Sequence, residues 1–312
     1  MLEVRLGECP NAKDTSYGSK ENCDMAHKIL LVTETGSDMT KERARELGVT
    51  LIPMHVSMGD QTLDDGTFPS EDIMAYYDRT GKVPTTSGST IYDFESVYEK
   101  IFAEDPEVQV LHLAYSAVTT CSYHSSELAI EDKPYKERVR LVDTKHVSVG
   151  LYAVVTLVQE WLDAHPEATL AEAAAYAEEA SQQTRMCFIP ENLDYLRAGG
   201  RCSNAAALVG NLLRLHPCIE IIDGRLMAVK KFRGAMEKLA PTLLREFTEK
   251  NDLQKDHIYF INTPNMDEKI RTALEAEAAA LGYQKVTWVK TGCVITCHGG
   301  PGAFGIVGKA SV

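Results

Sequence analysis

No stretch of this 312-residue chain approaches the roughly 18 consecutive apolar residues of a membrane span. The segment from Met1 to Asp24 lacks the apolar core of a secretory signal. The cytoplasm is therefore the expected compartment, with no integral membrane segment. Basic charge is also in short supply: 32 Lys and Arg stand against 45 Asp and Glu, a net charge of −13. Nucleic acids and anionic lipid surfaces are gripped by basic surface, so neither is an expected main partner. CxxC pairs are missing. The eight cysteines (Cys9, Cys23, Cys121, Cys187, Cys202, Cys218, Cys293, Cys297) are scattered, which points to reduced thiols rather than a disulfide framework. There is no GxxxxGK[ST] loop, no GxGxxG after the first strand, no GxSxG elbow and no HExxH. No acidic pair stands out as a hydrolytic dyad. A chain without these devices is expected to have no catalysis, cofactor or metal of its own.

What is present is ordinary globular material, 44% hydrophobic and 25% charged. At about 150 residues per domain, the length suggests two domains. Residues 1–26 are polar and aperiodic and are expected to form a disordered tail, with Met25 an alternative start. Apolar runs at Lys28–Thr33, Val49–Val56, Val108–Tyr115 and Arg138–Val142 predict strands. Between them lie helical patterns at Lys41–Leu47, Ser70–Tyr77 and Tyr92–Phe102. That alternation predicts an α/β fold with a mainly parallel, three-layer α/β/α first domain, residues 27–185. Helices at Leu151–Leu162 and Thr169–Gln183 complete it. Around Asp223-Gly224, two β-prone runs from Cys218 to Val229 predict a hairpin with a type I′ turn. Strands at Ile258–Ile261, Lys285–Val289 and Cys293–Thr296, with a helix at Asp267–Leu281, complete an α+β second domain, residues 186–312.

Candidate chemistry gathers in loops. Thr33–Asp38, Pro84–Ser89 and Ser116–Ser122 are rich in hydroxyls and would meet at the carboxyl edge of a parallel sheet. Hydroxyls and free N–H groups suit an anionic head; any one loop alone reads first as helix capping, and it is the three together that point to a ligand. Leu196–Arg201 ends one helical segment and leads to another at Ala205–Leu213, with Arg201 in the tight link, where it could reach an anion or a partner's acidic groups. Near the C-terminus, four glycines follow Thr296-Cys297-His298, and His298 supplies a donor whose charge can follow pH. Cys293, Cys297 and His298 are close in sequence but lack a second ligand pair for a metal.

Several of these stretches, in order, resemble the DegV family of bacterial lipid-binding proteins. Leu193–Arg201 is similar to the family's L-x-Y-L-x-x-G-G-R-I, and Gly210–Pro217 to its G-x-L-L-x-I-K-P. Lys231–Gly234 is similar to K-x-R-G and His298–Gly305 to H-x-G-P-G-A-x-G. Pro84–Ser87 matches P-T-T-S, and Val142–Lys145 resembles V-D-S-K. The resemblance spans about residue 28 to the end. It implies a long-chain fatty acid held in a tunnel between the domains and presented to a separate fatty acid kinase, which makes an acyl phosphate for phospholipid synthesis. Carried over, Thr86, Ser87, Ser116 and His298 would hold the carboxylate. Arg201 and Arg233 would face the phosphate or the kinase.

The chain departs from the family pattern at the head group. The D-S-T-x-D-L loop reads Glu34-Thr35-Gly36-Ser37-Asp38-Met39, and S-S-x-L-S-G-T-Y reads Ser116-Ala117-Val118-Thr119-Thr120-Cys121-Ser122-Tyr123. Ala117 removes a hydroxyl that the family uses, and His216 replaces the Lys of I-K-P. Two alternatives follow: the same fold binding a different amphiphilic molecule, or a small-molecule enzyme using His298 as general acid or base with Ser116 or Ser122 nearby.

Overall fold

The computed structural model describes residues 29–191, 193–200 and 215–311. The expected tail at 1–26, the helix at 205–213 and Arg201 lie outside the described residues.

Four parallel strands build the first sheet: β1 (Ile29–Glu34), β2 (Thr50–Ile52), β6 (Gln109–Ala114) and β7 (Val139–Asp143), in the order β2-β1-β6-β7. Both faces of the central strands β1 and β6 are buried, which is why these two read as continuous apolar runs. On one face Val32 and Val110 pack with Phe94, Tyr98 and Phe102 of α3 (Ile91–Glu104) and with α4 (Ser122–Ile130). On the other, Leu31, Leu111 and Leu113 meet α5 (Ser148–Ala164) and α6 (Leu170–Gln183). Helix α1 (Lys41–Leu47) begins on a Thr40 cap and stops at Gly48, matching its expected range. A small antiparallel sheet of β3 (His55–Met58), β4 (Gln61–Asp64) and β5 (Thr85–Ser87), ordered β4-β3-β5, carries helix α2 (Glu71–Thr80) between its last two strands in the chain.

That small sheet corrects one expectation. Val49–Val56 is not a single strand; Pro53 divides it, sending β2 to the parallel sheet and β3 to the small one. Proline has no N–H for a ladder and breaks the pairing there.

The second sheet begins at Thr184 and has the order β10-β9-β8-β13-β11-β12. Its strands are β8 (Thr184–Ile189), β9 (Leu215–Ile222), β10 (Arg225–Arg233), β11 (Leu253–Asn262), β12 (Lys285–Lys290) and β13 (Phe304–Ala310). Only β11 and β12 pair in parallel. The short helix α7 (Asp194–Gly199) follows β8. Helices α8 (Met236–Asn251) and α9 (Glu268–Ala280) cover the outer face, packing Leu243, Phe247 and Leu274 on Phe260 and Phe304. The inner face meets α5, which is buried on nearly every side because it lies between the two sheets; Tyr152 and Tyr259 touch there, ring centroids 5.9 Å apart.

The hairpin forms as expected. Asp223 (φ 47°) and Gly224 (φ 78°) both take positive φ between β9 and β10, the backbone that a type I′ turn demands. Cys293–Thr296 is a correction: instead of a strand, Cys293–Gly299 is helix α10. Buried carboxyl groups from the first lobe cap its opening N–H groups, and this tertiary contact overrides the β-leaning local sequence.

Candidate ligand cavity between the lobes

The parallel sheet reverses its strand order between β1 and β6, and ligands of open α/β sheets sit at such a reversal, beyond the strands' carboxyl ends. A cavity lies there, walled by both lobes. Its apolar lining includes Met54, Tyr115, Met186, Phe188, Leu226, Ile261, Ile295 and Phe304. The polar lining consists of hydroxyls and one imidazole: Thr86, Ser87, Thr119, Thr120, Ser148, Thr263, Thr291 and His298. No Asp, Glu, Lys or Arg side chain is among these lining residues. Elsewhere a more voluminous cleft is flanked by the charged side chains of Arg140, Asp143, Lys145, Glu178 and Arg185.

Two expected site residues meet across the seam. Thr86, on β5 of the first lobe, and His298, near the end of α10 in the second, are hydrogen-bonded with Oγ1 and Nε2 2.9 Å apart. Ser87 lines the cavity beside Thr86. The His298 ring lies against the end of α7: a Cβ on Gly199 would fall 2.1 Å from Nδ1, so only glycine admits the imidazole. This close approach accounts physically for the first glycine of the Gly199-Gly200 pair.

The other expected residues lie apart. Ser116 is fully buried, and its Oγ donates to the Gly224 carbonyl at 2.8 Å, pinning the hairpin turn to the first lobe. It is not among the cavity-lining residues. Ser122 Oγ accepts the Ser89 N–H at 3.0 Å. Arg233 is exposed at the end of β10, paired in register with Leu215. Cavity residues outside the expected set are Thr119, Thr120, Ser148, Thr263 and Thr291. The first two stand in a hydroxyl-rich loop that the sequence already marks; Ser148 and Thr291 carry no local signal.

The cysteines near His298 are poor metal ligands. Burial pushes both thiols up, Cys293 to about 12, and Cys293 Sγ donates to the Phe68 carbonyl. Among the described residues no group of three or more His, Cys, Asp or Glu could hold a metal ion, and no helix is long and apolar enough to cross a membrane.

Known proteins share this architecture and sequence. The family model described as "Uncharacterised protein, DegV family" matches residues 28–310. A DegV domain-containing protein of Deinococcus radiodurans is 30% identical, over 89% of this chain and 97% of its own. A fatty acid-binding protein of Thermotoga maritima is 29% identical, over 89% of this chain and 96% of its own. A solved structure described as fatty acid binding of a DegV family protein from Thermus thermophilus superposes with a TM-score of 0.80 at 28% identity, covering 91% of this chain and 99% of that one. With matching motifs, matching fold and a family match over nearly the whole described chain, this protein belongs to the DegV family.

Proposed function

We propose that the chain binds one long-chain fatty acid in the inter-lobe cavity, with the carboxylate toward Thr86, Ser87 and His298, and presents it to a separate kinase for acyl phosphate formation. The observation that carries this reading is the character of the cavity: among the described residues its walls are apolar and carry no charged side chain, and hydroxyls with one imidazole converge where the lobes meet. A carboxylate can be held by hydroxyl donors and an imidazole N–H, charge-assisted bonds that are stronger than neutral ones. Each buried methylene contributes about 0.8 kcal/mol, so about fifteen of them supply roughly 12 kcal/mol before ordering costs. Affinity then comes from the walls, and the polar end fixes orientation. The related proteins from Thermotoga maritima and Thermus thermophilus, described as fatty acid binding, support the ligand class.

In this reading the chain is a carrier without chemistry or cofactor of its own, and the exposed Arg233, with Arg201, faces the kinase or the phosphate. Protein purified from a bacterial host is expected to release about one acyl chain per molecule on lipid extraction and mass spectrometry. Recovery of no acyl chain, or of a short or branched polar compound instead, refutes it. Turnover of acyl esters or acyl phosphates by the isolated chain, abolished by His298→Ala, would favour the enzyme alternative. The kinase role is tested by acyl phosphate formation with ATP and a fatty acid kinase catalytic subunit, which Arg233→Ala should impair without loss of bound lipid.

A further inference from the structure

Behind the cavity wall, the seam between the lobes buries two carboxyl groups that lipid binding does not use directly. Asp38, in the turn after β1, is 4% exposed, and Asp65, after β4, is 2% exposed. Both belong to the first lobe and both turn to the backbone of the second. The Gly292 N–H donates to Asp38 Oδ1 at 2.7 Å, and the Cys293 N–H to Asp65 Oδ1 at 2.8 Å, with the Val294 N–H on the same oxygen at 3.4 Å. Ser148 Oγ donates to Asp38 Oδ2 and ties α5 into the cluster. The first N–H groups of a helix have no acceptor within it, so here the carboxyls supply what would otherwise be buried, unpaired donors. The fit is close. A Cβ on Gly292 would stand 3.1 Å from Asp65 Oδ1 and 3.5 Å from Asp38 Oδ1.

The clasped segment is one layer from the ligand. Ser148, Thr291 and Val294 all line the cavity, and His298 stands one helical turn beyond Val294 on α10. Resting on the fatty-acid reading, we propose that Asp38 and Asp65 are positioning residues: they seat α10 against the first lobe and so bring His298 to Thr86. Lobe closure and assembly of the head-group site are then one event. An apolar seam could hold the lobes together, but it could not pair three N–H groups at a fixed register.

The test uses delipidated full-length protein and palmitate, read by binding affinity and by the His298 imidazole resonances, assigned through their loss in His298→Ala. Asp38→Ala and Asp65→Ala are expected to weaken palmitate binding about tenfold or more and to shift those resonances. Asp38→Asn and Asp65→Asn, whose amide oxygens still accept the N–H groups, restore both readouts to within about threefold of wild type. In a His298→Ala background, Asp38→Ala costs less than about threefold, because its effect runs through the imidazole. Equal losses in both backgrounds, or unmoved resonances, overturn the proposal. Should the alanine variants not fold, Gly292→Ala keeps both carboxyls, displaces them with its Cβ, and carries the same expectations through the same cycle. Wild-type protein that does not bind palmitate sinks the fatty-acid reading instead, and the resonance shifts still decide whether the carboxyls seat His298.

Discussion

Replacing Asp38 by Asn should remove a pH dependence of stability that can be worked out in sign and size. Burial pushes the Asp38 carboxyl up to about 8 from 3.8, against the lowering effect of its hydrogen bonds with Ser148 and Gly292, and Asp65 nearby adds to the rise. Between pH 5 and 7 the unfolded chain has lost this proton while the native state keeps it. A raised folded-state value therefore gives stability that is complete below about 4 and drains away as pH climbs to about 8. The slope is about −1.4 kcal/mol per pH unit, or roughly 3 kcal/mol from pH 5 to pH 7. Wild-type stability alone does not isolate this effect. His146 and His257, both held down to about 4 by burial, act in the opposite direction, adding stability as pH rises from about 4 toward 6.5. The difference between wild type and Asp38→Asn cancels them. Urea unfolding followed by circular dichroism at pH 5, 6 and 7 should show wild type losing about 3 kcal/mol relative to the variant across that range. A difference that is flat within about 0.5 kcal/mol, or that grows with pH, refutes the reasoning.

Other perturbations give independent checks. Tyr98→Phe removes the hydroxyl 2.9 Å from His112 Nδ1 inside a fully buried group whose other side is Glu34, so urea stability should fall by about 1–3 kcal/mol, and an unchanged midpoint counts against that network. Gly199→Ala puts a methyl into the space of the His298 ring; overpacking of about 1–3 kcal/mol taken up at the head group weakens palmitate binding roughly 5- to 150-fold, measured by titration, and full affinity would show that the ring's seat is not needed. Gly224→Ala places a Cβ 2.5 Å from Ser116 Oγ at a backbone φ of 78°, and a drop of about 2 kcal/mol in urea stability is expected from the left-handed conformation and the lost hydrogen bond; a silent variant would show that the hairpin tolerates another turn.

Much of the first lobe is legible in the amino-acid order, because its central strands β1 and β6 are buried on both faces and its helices α1 and α3 are capped. α1 carries its own start and stop signals in Thr40 and Gly48, and the Asp223-Gly224 turn is encoded by two residues that accept positive φ. The second sheet is less legible at its centre. β8 follows α6 with no turn residue between them, and Gly305 and Gly308 interrupt the apolar pattern of β13. α10 is illegible locally, since its cap comes from Asp38, 254 residues away from Gly292. The same division runs through the site. Thr86 and His298 lie in motifs that stand out singly, and the fold brings them together across 212 residues. Ser116 stands in an equally conspicuous loop, yet its hydroxyl is turned to Gly224, a contact that depends on how the hairpin docks.

That docking has a kinetic consequence. The lobes are fastened to each other at more than one place, through Ser116 on Gly224 and through the acidic pair on Gly292 and Cys293. Parting the lobes would break these buried hydrogen bonds together. On the fatty-acid reading, any exchange route that needs the lobes to part is timed by the protein's opening rather than by encounter with the lipid.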